Sequence, residues 1–298
     1  MAASTIRNYA KIAGRIFLSF SAILLCQLAT WADVTITQRL GWNSHSPQSG
    51  WTRRMLIKGH KLKIESEHDN KVFVSLYDLD VGQESYWDSK GKVVNVFDLS
   101  IESTRLEKAM KGVRTSVQPT GQSKQTLTGP CDQFSYEIFI ALPRHMVKGI
   151  LLAPVEHDSG TICVSRGLPG STEFVEFAQA AKTLGYVLGS ISQDQASIDS
   201  SSVLFLMAAD LNGLFLERSS KSEFQGGAGV GFYGAAASNE FNATVTAVTS
   251  GPIADEEFRV PDGRKIQKDR SMGPSVPVSY QRESTASSSA PEFVTTRN

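Results

Sequence analysis

Five apolar side chains at every second position, Phe134, Tyr136, Ile138, Ile140 and Leu142, constrain this chain more than any other feature. Residues two apart share a face only in an extended strand, so this segment is predicted to be a strand with one buried side. The same period recurs upstream. Val34 and Ile36 alternate with Thr35 and Thr37, and Val72, Val74 and Leu76 alternate with Phe73, Ser75 and Tyr77. Met55 to Lys58 and Leu62 to Glu67 flank Gly59-His60, which reads as a two-residue hairpin turn. Further strands are read at Lys92 to Leu99, Val113 to Gln118 and Gln122 to Thr128. Strands joined by short turns are antiparallel neighbours, so a meander is expected.

A sheet with one apolar face must bury it against a second layer. Pro169-Gly170-Ser171 opens a predicted helix in which Phe174, Phe177, Ala178, Ala181 and Leu184 keep the spacing of one helical face. A second helix is read from Gln195 to Leu211. Its segment Val203 to Met207 is apolar on every side and is expected to lie deep. Asn212-Gly213 ends it. Ser100 caps a shorter predicted helix running to Lys111. Strands at Leu214 to Arg218 and Phe241 to Ser250 follow, and the domain is expected to close at Pro261-Asp262-Gly263. The fold class is therefore α+β: an antiparallel meander with helices packed on its apolar side.

The ends of the chain read differently. Arg7, Lys11 and Arg15 precede the apolar run Ile16 to Ala29, and Thr30-Trp31-Ala32 offers small residues at the two positions a leader peptidase reads. Residues 1–32 are thus expected to be a signal peptide cleaved near Ala32, placing the product in the periplasm or outside the cell. The alternative is an uncleaved anchor, but the run is short for a bilayer core of about 30 Å. Residues 33–268 form the expected domain. Residues 269–298, with seven serines and three prolines, read as a disordered tail. Loss of the three leader basics turns the balance of 30 basic and 30 acidic residues into a slight acidic excess. That excludes the basic surplus of a nucleic-acid binder.

Cys26 lies in the leader, which leaves Cys131 and Cys163. In an exported protein an even count reads as a disulfide, the alternative being two buried free thiols. A hairpin centred on Val147 would set 131 opposite 163.

Chemistry-bearing motifs are sparse. Gly229-Val230-Gly231-Phe232-Tyr233-Gly234 fits a dinucleotide-binding pattern, yet it stands between apparent antiparallel strands and not in a βαβ unit, so it reads as a loop. Glu65, Glu67, His68 and Asp69 read as a solvated strand face, and Glu156-His157-Asp158 as a loop; neither has metal-ligand spacing. No GxSxG elbow is present. Asn242-Ala243-Thr244 is a glycosylation sequon.

The segment Met55 to Glu65, then Asp78-Leu79-Asp80 and a tyrosine-bearing strand, resembles a bacterial exported family known as a domain of unknown function. The resemblance continues through Gly121, Gly129-Pro130-Cys131, Pro169, Phe177, Gly213-Leu214, Ile253, Phe258 and Val260-Pro261, with Cys163 and Phe215 departing from its pattern. That family in turn resembles the periplasmic lipoprotein-carrier (LolA/LolB-like) fold. The resemblance implies an open β half-barrel with helices on its concave face, and no catalytic residues. The expected role is non-enzymatic, without metal or cofactor: an envelope protein sheltering a lipid or other apolar ligand, with a lipid or lipoprotein as partner. Phe134, Tyr136, Ile138, Ile140, Phe174, Phe177 and Phe205 are the candidate lining residues. The alternative is a structural or protein-interaction module in which these side chains pack only on one another.

Overall fold

The computed structural model describes residues 33–42, 51–68, 70–100, 111–141, 145–147, 150–152, 155–186, 188, 200–225 and 239–268. The predicted leader, the body of the helix after Ser100, Leu142, Gln195, the glycine-rich loop and the tail lie outside them.

Alternation upstream of the helices produces eight strands in sequence: β1 Val34–Trp42, β2 Trp51–Lys58, β3 Lys61–His68, β4 Lys71–Asp78, β5 Gln83–Asp88, β6 Val93–Asp98, β7 Val113–Gln125 and β8 Pro130–Ala141. A small hairpin, β9 His145–Val147 and β10 Ile150–Leu152, leads to β11 Val155–Ser165. Then come helices α1 Ser171–Thr183 and α2 Ser200–Leu211, and strands β12 Leu214–Gln225, β13 Asn239–Ser250 and β14 Lys265–Lys268. Twelve strands form one open sheet in the order β14-β6-β5-β4-β3-β2-β1-β13-β12-β11-β8-β7.

The meander is therefore interrupted once. β1 to β6 run outward as sequential antiparallel neighbours, but β7 lies at the far edge of the sheet from β6. The chain then works back through β8, β11 and β12 until β13 pairs with β1. β14, which follows the Pro261-Asp262-Gly263 turn, adds to β6 in parallel. Two strands expected at Val113 to Gln118 and Gln122 to Thr128 are one, β7, with its register broken between Pro119 and Ser123. Proline is tolerated there because β7 is an edge strand, and its exposed polar side chains discourage further pairing.

Both sides of β2 and β4 are covered, which is why their burial does not simply alternate. Met55, Ile57, Leu62 and Tyr77 pack in a cluster with Phe174, Phe177 and Ala181 of α1. Leu56, Val74, Leu76, Trp87 and Val94 pack instead under Phe258, with Ile253 and Val260 alongside. These last three belong to a strap, residues 251–268, that crosses the sheet before adding β14. Lys58 pins it through Ile253 O at 2.6 Å and Asp255 at 2.8 Å, and Lys63 through Glu257 at 2.9 Å.

α1 starts at Gly170, whose φ of 89° falls in the left-handed region and whose missing Cβ would otherwise stand 2.2 Å from Val34 Cγ2. Leu184, expected on its apolar face, falls just past the last turn and is exposed. Lys182 of α1 pairs with Asp210 of α2. α2 packs Val203, Leu204 and Met207 on Phe134, Ile138, Ile162 and Val164 of β8 and β11.

Cys131 and Cys163 are bonded, with a Cα separation of 5.4 Å. The register sets Cys163 opposite Gln133, so the bridge runs diagonally between β8 and β11 and not straight across. Val155 pairs with Ala141, so the hairpin is centred one residue past Val147, and the partner of Cys163 moves from 131 to 133. Closing this 32-residue separation stabilises by roughly 3–4 kcal/mol in the chain-entropy picture.

Candidate functional site

The expected lining residues divide between two clusters. Phe134, Tyr136, Ile138 and Ile140 point to the α2 side of β8, each no more than 8% exposed. Phe174 and Phe177 of α1 belong to the cluster over β1 and β2, against which Phe205 of α2 packs. Phe205 meets both edge-on, with ring centroids 5.6 Å and 6.1 Å away. That geometry suits the aromatic quadrupoles and ties the two helices together.

The α2-facing side of β8 is not wholly apolar. Asp158, read from sequence as part of a loop, lies inside β11, and alternation turns it to the same side as Gly160 and Ile162. Register brings Tyr136, Gly160 and Ser220 into line and sets Asp158 opposite Ile138. Arg218, the last residue of the strand expected from Leu214 and an interior residue of β12, pairs with Asp158 at 2.5 Å. Their side chains are 10% and 2% exposed. The Tyr136 hydroxyl donates to Asp158 Oδ1 at 3.1 Å and accepts from Arg218 Nε at 3.0 Å. Burial pushes the Tyr136 hydroxyl up to about 12 against the pull of Arg218, so it stays a neutral donor. The guanidinium also lies 4.9 Å from the Phe241 ring centroid.

A close strand approach makes room for this triad. A Cβ on Gly160 would stand 2.0 Å from Ser219 O, so β11 and β12 meet there only because residue 160 has no side chain. Arg218 and Asp158 escaped the sequence reading, although a signal existed. Glu156 and Asp158 share a parity with Ile162 and Val164, which marks a charge turned toward an apolar side.

A second concavity lies on the other side of these strands. A groove of about 250 Å³ crosses β8, β11, β12 and β13, with Gln133, Thr161, Cys163, Glu217, Ser219 and Thr244 in its lining. Lys124 of β7 pairs with Glu217 at 2.5 Å on its border. No group of metal-ligating side chains occurs among the described residues. No helix among them is long and apolar enough to cross a membrane.

No protein-family model matches the chain, and no curated protein matches it. Among solved structures, that of PNGF-II is similar at 12% identity and a TM-score of 0.35, over 80% of this chain. The match spans 31% of the PNGF-II chain, and a likeness at that level carries neither fold nor function across.

Proposed function

We propose that this is an exported, non-enzymatic protein of the periplasm whose sheet curves as a half-barrel around α1 and α2 and takes an apolar ligand between the layers. The observation that carries the reading is the composition of the β8–α2 layer. An apolar wall of Phe134, Ile138 and Ile140 is broken by the buried set Tyr136, Asp158 and Arg218. An apolar wall with a few fixed polar groups is the usual make-up of a small-molecule site. The Cys131–Cys163 bond supports an oxidising compartment. The reading agrees with the resemblance of Met55 to Glu65 and later segments to an exported family of lipoprotein-carrier shape.

A second reading, a structural module of the envelope, is favoured by the mutual packing of Phe174, Phe177 and Phe205. Phe177→Ala separates the two. If these rings are core only, the change costs about 3–5 kcal/mol and the parent protein takes up no fluorescent fatty acid. If they line a ligand space, uptake falls more steeply than the unfolding midpoint. Extraction from native membranes, with mass spectrometry of co-purifying lipid, gives the independent measurement.

A further inference from the structure

The groove described on the far side of β8 from α2 is not used by the proposed carrier role. Its lining is built from a cross-strand row. Gln133 is paired in register with Cys163, Cys163 with Glu217, and Glu217 with Thr244; the next row holds Thr161 and Ser219. Gln133, Thr161, Ser219 and Thr244 thus present an amide and three hydroxyls on four adjacent strands. Their side chains have no hydrogen-bond partner among the described residues. With strands about 4.8 Å apart, the row extends over roughly 14 Å.

The strands are irregular at this level and not elsewhere in this half of the sheet. Register shifts occur between Pro119 and Ser123 of β7, between Cys163 and Val164 of β11, and between Thr37 and Gln38 of β1. Bulges bend a strand and re-aim its side chains, and here three of them flank one concavity. The disulfide fixes its floor at Cys163.

We propose that this groove is a binding site for a neutral, hydroxyl-rich ligand, a saccharide. An anion would call for donors and a cation for acceptors. Amide and hydroxyl side chains do both, and so do sugar hydroxyls. The charged residues of the lining are matched: Lys124 pairs with Glu217, and Arg218 with Asp158. The groove opens on the opposite side of these strands from α2, although Ile162 and Arg218 contribute to both, and glycan binding is read apart from fatty-acid uptake.

The test is an array of neutral and acidic glycans probed with the full chain, followed by calorimetric titration of the strongest neutral binder. At least one neutral glycan is bound, and the double change Gln133→Ala with Thr161→Val weakens it by about tenfold or more, the loss of one or two hydrogen bonds. Glu137→Ala, on β8 but outside the groove lining, leaves binding unchanged. Circular dichroism checks that the double variant is folded; Ser219→Ala takes its place if it is not. Absence of any neutral binder, binding of acidic glycans alone, or a folded groove variant that binds like the parent overturns the proposal.

Discussion

Asp158 is a carboxylate held between strands, and such a group is tolerated only where its charge is met. Arg218 and the Tyr136 hydroxyl meet it. Removing one partner leaves the other charged and buried, which is worse than having neither. Asp158→Ala should therefore lower stability by about 3–5 kcal/mol, read as a shift in urea midpoint at unchanged slope. The double change Asp158→Leu with Arg218→Met should recover most of that loss, because two apolar side chains need no partners. If the double variant is as unstable as the single one, the triad does more than balance its own charge.

At the scale of the element, the strap 251–268 is held by partly buried ion pairs over an apolar patch, so its attachment depends on pH. The hydrogen bond from Lys63 holds the Glu257 carboxyl below its ordinary 4.5, although partial burial opposes this. The hydrogen bond from Lys58 does the same for Asp255 below 3.8. Both folded values are depressed, so the stabilisation is complete above the unfolded values and is lost as pH falls through the folded ones. Lys63 has the opposite sign. Burial lowers its value, but the hydrogen bonds to Glu65 and Glu257 outweigh this and raise it, so its contribution fades only at strongly alkaline pH. Hydrogen exchange at the Glu257 and Lys265 amides, corrected for intrinsic rates, should accelerate between about pH 5 and about pH 3. Lys63→Met should remove much of that pH dependence. Exchange in β8, far from the strap, should not change.

Element by element, the sequence was legible wherever the alternation was clean. Val34 with Ile36, and Phe134 through Ile140, each revealed a strand and its buried side, whereas Val72, Val74 and Leu76 revealed a strand but not that Ser75 and Tyr77 on its other face are buried as well. Phe174, Phe177, Ala178 and Ala181 revealed the buried stripe of α1 in the same way. What stayed hidden depends on distant partners. Lys265 to Lys268 are exposed throughout and form a strand only because the edge of β6 is there to receive them. Asp158 looked like loop because acidic residues seldom enter a buried strand, and its partner Arg218 is 60 residues away. The groove was illegible for the same reason. Its hydroxyls come from four strands, and no local pattern unites Gln133, Thr161, Ser219 and Thr244.

For the whole molecule, the join between β1 and β13 is decisive. On one side lie β2 to β6 with β14, on the other β12, β11, β8 and β7. Val245, fully buried in β13, stands opposite Gln38 beside the bulge. Val245→Pro should break the ladder there, at a cost of about 3 kcal/mol or more. Both halves should then lose cooperativity, with tryptophan fluorescence and far-ultraviolet dichroism no longer unfolding together. Gln118→Pro, an equal insult on the edge strand β7, should leave the transition single and nearly unmoved. A shared, single transition in both variants would show that the two halves do not depend on their seam.

The position of β1 also sets an order of events during synthesis. Thr37 is made early, and Thr246, whose hydroxyl bonds its carbonyl across the seam, emerges 209 residues later. Until then the growing chain carries a long unsatisfied strand edge beside a nearly finished meander. Such an edge accepts whatever matching strand arrives first, and in a crowded refolding mixture that is β13 of a neighbouring molecule. Strand exchange between copies, giving intertwined dimers whose share rises with protein concentration, is the failure expected of a topology that closes at its own beginning.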